Sequence, residues 1–466
     1  MSSRLPDFWH NLRREVAVGR HWVDRAVVLV YAAATGLVVV GFTLLAEEAS
    51  DLHLRLRGLD PWPGVVPGEL PAGAWLALVW TPLLTVAVVA WTRRVVPAAG
   101  GSGIPQVVVA LDDELSADER GRFVSLRLSL HKIGLVSAGL LAGLSIGREG
   151  PTVQVGAGVM QHARRWLSPQ SGIDAHDLMV AGAAAGIAAA FNTPLGGIVF
   201  ALEQLSQRRH VSHSALVIAA IVLSGLVAVS VFGNATYFGR LPVEQLSWSL
   251  VGPGLLVALI AGLAGGLFSR LIVASAQGLP DRWCRWRAAH PLRFAAACAF
   301  LVALIGLVTG GATAGAGYAP TRALLEGQAE LPGVYTLLKF CATWLSAWTG
   351  APAGVFAPSL AIGAGIGHDV AVWTGVGTQA AIPLIALGMV GFLAATTQGP
   401  ITAFIIVMEM VAGHSMVLSL MATALLASGV ARLLTRPMYA ELAGLLVGRQ
   451  QVPPRPAVAA AGPGGR

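Results

Sequence analysis

The chain has 466 residues, 55% of them hydrophobic and only 12% charged, with a mean hydropathy of +0.68. That balance excludes a water-soluble globular protein and points to an integral membrane protein. A formal charge of +7 and a pI near 9.9 would suit a nucleic-acid partner, but the basic residues stand at the edges of apolar tracts, the positive-inside pattern of a membrane protein.

In chain order, Arg4, Arg13, Arg14, Arg20 and Arg25 precede the first apolar tract, so residues 1–25 read as a cytoplasmic segment. No cleavable signal peptide is evident, because these residues are polar and the tract after them is too long for a signal core. Apolar tracts then follow at 26–46, 74–91, 211–232, 254–268, 294–308, 382–411 and 415–430. A helical crossing needs roughly 20 apolar residues, so several tracts are candidate spans, and others are too short or glycine-rich for a simple one. Arg432, Arg436, Arg449 and Arg455 follow the last tract, which puts both termini on the cytoplasmic side and makes 446–466 a disordered tail. Cys284, Cys298 and Cys341 lack metal-like spacing and read as buried or spare thiols; no metal or cofactor is expected.

The chain contains an internal repeat. Residues 151–159 (PTVQVGAGV) and 358–366 (PSLAIGAGI) match at an offset of 207. Residues 192–203 (NTPLGGIVFALE) and 398–409 (QGPITAFIIVME) match at 206, pairing Pro194 with Pro400 and Glu203 with Glu409. Two matches in the same order make a duplicated unit, with halves at about 26–230 and 250–440 inside a membrane domain spanning 26–445. The fold class expected is an all-α polytopic membrane protein of two inverted-topology repeats with tilted and re-entrant helices.

Three segments run from glycine to proline just before an apolar helix: Gly101–Pro105 (GSGIP), Gly147–Pro151 (GREGP) and Gly354–Pro358 (GVFAP). Proline suits a helix's first turn and glycine permits close backbone approach, so each places a helix start inside the membrane. A helix start presents unpaired N–H groups and partial positive charge, which an anion satisfies.

At these residues the sequence resembles the CLC family of chloride channels and chloride/proton exchangers, in the prokaryotic form without C-terminal nucleotide-binding (CBS) modules. GSGIP, GREGP and GVFAP match its signatures in order and spacing, and 436–439 (RPMY) resembles the segment that supplies its pore tyrosine. The resemblance covers about residues 25–445 and implies a homodimer in the inner (plasma) membrane, with one pore per subunit. By this likeness the chloride ligands are Ser102, Tyr439 and the amides of Val355 and Phe356. Gly101, Gly103, Pro105, Gly147, Arg148, Gly150, Pro151, Gly354 and Pro358 form the supporting motifs. The likeness makes Glu149 the gate and external proton acceptor, competing with chloride when ionised and swinging away when protonated, and an intramembrane carboxylate is functional by default. Neutral donors bind an anion without trapping it, so Arg148 reads as electrostatic support.

The sequence departs from the exchanger pattern at two places. The internal proton glutamate of the family aligns with Gln204, while Glu203 takes the neighbouring place and, paired with Glu409 by the repeat, looks structural. After GSGIP, where relatives often carry acids, stand Gln106, Val107, Val108 and Val109. Chloride transport with little or no proton coupling is therefore expected. The alternative is an antiporter that uses Glu203, His210 or a water wire past Gln204. The fluoride branch fits less well, because GSGIP and GVFAP are of the chloride type. An enzyme is not expected: Ser102 has no helical histidine partner, and the glycine-rich 310–317 (GGATAGAG) lacks the ending of a phosphate loop and reads as packing or a turn.

Overall fold

The computed structural model describes residues 19–58, 72–206, 214–233, 236–239, 248–328 and 333–451. The first half contains α1 (Gly19–Leu56), α2 (Ala77–Val95), α3 (Ile104–Ala110), α4 (Ala117–Phe123), α5 (Leu126–Leu141), α6 (Glu149–His162), α7 (Ala175–Phe191), α8 (Pro194–Phe200) and α9 (Ser214–Phe232). The second contains α10 (Val251–Gln277), α11 (Arg282–Ala289), α12 (Pro291–Val308), α13 (Tyr318–Leu325), α14 (Tyr335–Trp348), α15 (Phe356–Trp373), α16 (Thr378–Thr397), α17 (Pro400–Met410) and α18 (Val417–Arg432), and α19 (Met438–Gln451) closes the described chain. Among the described residues, 8 helices are long and apolar enough to cross a membrane.

Three boundaries differ from the sequence reading. The first helix begins at Gly19, inside the segment expected to precede it, and α19 continues to Gln451, so 446–451 are helical; the tail beyond lies outside the described residues. The tract 382–411 is two helices: Gln398 takes a left-handed φ of 52°, and Pro400 opens α17. Proline lacks the N–H that a continuous helix would need, and its ring would clash with the preceding turn.

The repeat is visible in the backbone. Asn192 ends α7 at φ 57° as Gln398 ends α16, 206 residues later. The pairs α6–α7 and α15–α16 pack through equivalent glycines: a Cβ on Gly156 would meet the Gly182 carbonyl, and one on Gly363 would meet the Gly388 carbonyl. Such small residues let apolar helices approach closely where a hydrophobic driving force is lacking. Gly147 N–H donates to Gly354 O at 2.7 Å and Gly354 N–H returns to Gly147 O at 3.1 Å, an antiparallel bridge between equivalent loops. Reciprocal pairing of equivalent positions is what a local two-fold axis produces, and it brings the starts of α6 and α15 together in the interior.

Candidate functional site

Where the two loops cross, Gly354 has no room for a side chain. A Cβ at Gly354 would lie 2.5 Å from Gly147 O and 2.8 Å from Pro151 Cδ, so this crossing requires glycine. The GSGIP loop joins the same knot: Gly101 N–H donates to Ala351 O at 3.4 Å, and Ala353 N–H donates to Gly101 O at 3.1 Å. Gly103, at φ 103°, starts α3, where Gln106 caps the helix by accepting from Gly103 N–H at 3.0 Å and donating to Gly100 O at 2.5 Å. The glutamine read as a missing acid is thus a helix cap.

Glu149 is the first residue of α6 and has no exposed surface. Its carboxylate faces its own amide and that of Ala357 in the first turn of α15, so a tethered carboxylate occupies the place where two helix starts would hold an anion. Oε1 accepts from the Tyr318 hydroxyl and lies 3.9 Å from Arg148 Nε, while Oε2 has no hydrogen-bond partner. Arg148, also buried, donates to Glu47 Oε1 at 2.8 Å and to the Tyr237 hydroxyl at 2.9 Å. Its guanidinium therefore supports the site from behind and belongs mainly to Glu47.

Ser102 packs on the other side, where a Cβ on Gly150 would meet its Oγ. The hydroxyls of Ser102 and Tyr439 lie close to each other, and neither has a hydrogen-bond partner among the described residues. Buried hydroxyls left free in this way suit a polar or anionic guest. Val355 and Phe356 stand at the start of α15 beside them, where helical N–H groups have no intrahelical acceptor.

Two cavities reach residues that touch Glu149 and its helix start, and Glu149 itself walls neither. One, of about 630 Å³, is walled by Glu47, Asp51, Arg148, Tyr237, Tyr318 and Arg322 among others; the second, of about 450 Å³, is walled by Arg93, Ser102, Gln106, Arg287, Val355 and Tyr439 among others. Glu149 and its helix start lie between Tyr318 on the first wall and Ser102 on the second.

Sequence reasoning missed several members of this site. Lys132 and Lys339, 207 residues apart, are fully buried. Lys132 Nζ donates to Ala99 O and Gly101 O, both at 2.7 Å; Lys339 Nζ donates to Thr313 O at 2.9 Å and Gly315 O at 2.8 Å. These equivalent clamps align Gly101–Pro105 with Gly315–Pro320, so the glycine-rich stretch read as packing or a turn is the second half's copy of the GSGIP loop. Ala316 stands for Ser102 in that copy, and Tyr318 begins α13. A search for lone lysines in apolar tracts at the repeat offset would have found both clamps.

The acids of the second repeated motif form reciprocal caps. Glu203 accepts from Ile401 N–H at 3.0 Å and Thr402 N–H at 2.7 Å at the start of α17, and Glu409 accepts from Leu195 N–H at 3.2 Å and Gly196 N–H at 2.7 Å at the start of α8. Gln204 abuts Gly399 at the same junction. His210 lies outside the described residues. Asp174, His176 and Asp177 offer clustered ligand atoms at the start of α7, where Asp174 caps by accepting from Asp177 N–H at 2.8 Å.

The sequence profile described as "Voltage gated chloride channel" matches residues 84–432. The H(+)/Cl(-) exchange transporter ClcA of Cronobacter sakazakii is 28% identical over 461 residues, covering 94% of each chain, and that of Citrobacter koseri is 29% identical over 440 residues, covering 90% of this chain and 88% of the relative. Among solved structures, a slow cyanobacterial Cl-/H+ antiporter superposes with a TM-score of 0.74 at 21% identity, covering 92% of this chain and 99% of its own. A CLC-type fluoride/proton antiporter superposes at 0.73 and 21% identity, covering 90% and 97%.

Proposed function

Because this chain belongs to the voltage gated chloride channel family, we propose that it carries chloride across the membrane through a pore gated by Glu149, with little or no coupling to protons. The observation that carries this reading is the Glu149 carboxylate between two cavities, seated at the paired starts of α6 and α15 with the free hydroxyls of Ser102 and Tyr439 on its inner side. An ionised Glu149 competes with chloride for the helix starts, and a protonated one has no claim on them. Flux accordingly rises as pH falls. The cavity walled by Arg93 and Arg287 is read as cytoplasmic, on the side of the chain termini, and the cavity of Glu47 as external.

Weak coupling rests on the inner side. Gln204 has no titratable proton, and both carboxylate oxygens of Glu203 are engaged as a helix cap. The names of the ClcA relatives favour the second reading, a chloride/proton antiporter with another internal proton route. Purified protein in liposomes under a chloride gradient, watched with a chloride and a pH electrode, separates the two. Chloride efflux without uphill proton movement is the expected result, and proton pumping driven by chloride would establish the antiporter instead. Family membership also supports a homodimer with one pore per subunit and a role in transport rather than catalysis.

A further inference from the structure

We propose that Tyr318 is the outer latch of the gate, a positioning residue whose hydroxyl holds ionised Glu149 on the helix starts. The proposal rests on the reading of Glu149 as the gate and adds what keeps that gate shut. Tyr318 donates to Glu149 Oε1, and the ring that carries this hydroxyl packs on aromatic and cationic neighbours. Its centroid lies 4.9 Å from that of Tyr237 and 6.1 Å from that of Phe238, and the Arg148 guanidinium carbon stands 5.3 Å from it. Behind the ring, Lys339 clamps the loop that leads into α13 through the carbonyls of Thr313 and Gly315. Gly317, at φ 86°, makes the turn at which a Cβ would strike Ala361. The hydroxyl is thus aimed by packing, and rotating it away from Glu149 would disturb the ring contacts with Tyr237 and Phe238.

The repeat shows that this hydroxyl is an addition. In the first-half loop the equivalent position is Ile104, buried and without a polar atom, and the loop's hydroxyl is Ser102; in the second-half loop the serine position is Ala316 and the hydroxyl is on Tyr318. Each copy therefore supplies one hydroxyl, Ser102 from the inner cavity and Tyr318 from the outer, with Glu149 between them.

The groups facing Glu149 are few. Arg148 comes from its own loop, Tyr318 from α13 and Tyr439 from α19, while α15 presents the Ala357 amide; Tyr237 and Glu47 lie beyond Arg148. Of these, Tyr318 gives the one hydrogen bond from a side-chain hydroxyl to the carboxylate among the described residues. A hydroxyl donating to an ionised carboxylate favours the charged, seated form, and once a proton neutralises the carboxylate that preference falls away. Chloride then displaces the released carboxyl.

The test is chloride efflux from liposomes between pH 4.5 and 8, with Tyr318→Phe, Glu149→Gln and the double variant. Tyr318→Phe keeps the ring and its packing and loses one oxygen. A hydrogen bond to an ionised group is worth roughly tenfold or more in an equilibrium. Tyr318→Phe should therefore move the midpoint of the flux–pH curve upward by about one pH unit and raise flux at pH 7 by about tenfold. Adding it to Glu149→Gln should change nothing. A Tyr318→Phe curve superimposed on that of the unsubstituted protein, or a shift that persists in the double variant, overturns the latch. If Glu149→Gln alone leaves the pH profile intact, the gate reading beneath it fails instead.

Discussion

If Glu203 is a structural cap, replacing it by glutamine should weaken the fold and leave proton movement alone. Its two carboxylate oxygens accept from Ile401 N–H at 3.0 Å and Thr402 N–H at 2.7 Å, so the charge sits on the positive end of α17. Glutamine keeps one acceptor and replaces the other with an N–H₂ group that faces a donor. One charge-assisted hydrogen bond, worth about 1.5–3 kcal/mol, is lost, and a helix-end charge contributing about 0.5 kcal/mol goes with it. Partial exposure of Glu203 screens these interactions and holds the net loss near 2 kcal/mol. In a chain of this size that corresponds to a fall of a few degrees in the unfolding midpoint. The assay is thermal unfolding of the purified protein in detergent, run beside liposome measurements of chloride and proton movement. Glu409→Gln provides an internal standard: it caps α8 through Leu195 and Gly196 in the same way and should lower the midpoint by a similar amount. An unchanged midpoint in Glu203→Gln, together with altered proton movement, would refute the cap and make Glu203 a proton carrier.

Two further outcomes follow from the same geometry. Gly354→Ala places a Cβ 2.5 Å from Gly147 O and 2.8 Å from Pro151 Cδ, so the loop bridge cannot close; little folded protein should survive gel filtration, and a normal yield with normal flux would contradict the crossing. Gln204→Glu restores an acid beside the α17 junction, and chloride-driven proton movement should then appear in liposomes; continued absence would place the coupling defect elsewhere.

Much of the scaffold was legible because duplication wrote it twice. GREGP and GVFAP share a frame at a fixed offset, and Glu203 and Glu409 hold matching places in the second repeated motif. The break inside 382–411 carried a visible signal, Gln398-Gly399-Pro400, which the surrounding apolar run outweighed. The loop of Tyr318 escaped notice for a different reason: alanine replaces the serine of the motif, and one extra residue separates the last glycine from Pro320, so the pattern no longer matched. Glu47 and Tyr237 were beyond reach. They come from a long helix and from a short segment with no motif, and only tertiary packing brings them to Arg148.

The positions at which the halves disagree say more about the mechanism than those at which they agree. Glu149 and Phe356 are equivalent, each the first residue of its helix, and the two helix starts meet across the Gly147–Gly354 bridge. A carboxylate at both places would set two like charges together in a buried site, where each opposes the ionisation of the other. Phe356 instead packs on Phe191 with ring centroids 5.4 Å apart and leaves its helix start as bare backbone. The paired helix starts therefore hold one titratable group between them, and the start of α15 carries no side-chain charge. Tyr318 extends this asymmetry, because its hydroxyl lies in the half that lacks the carboxylate. The hydrogen bond at Glu149 thus joins the two repeats, one half supplying the carboxylate and the other its donor.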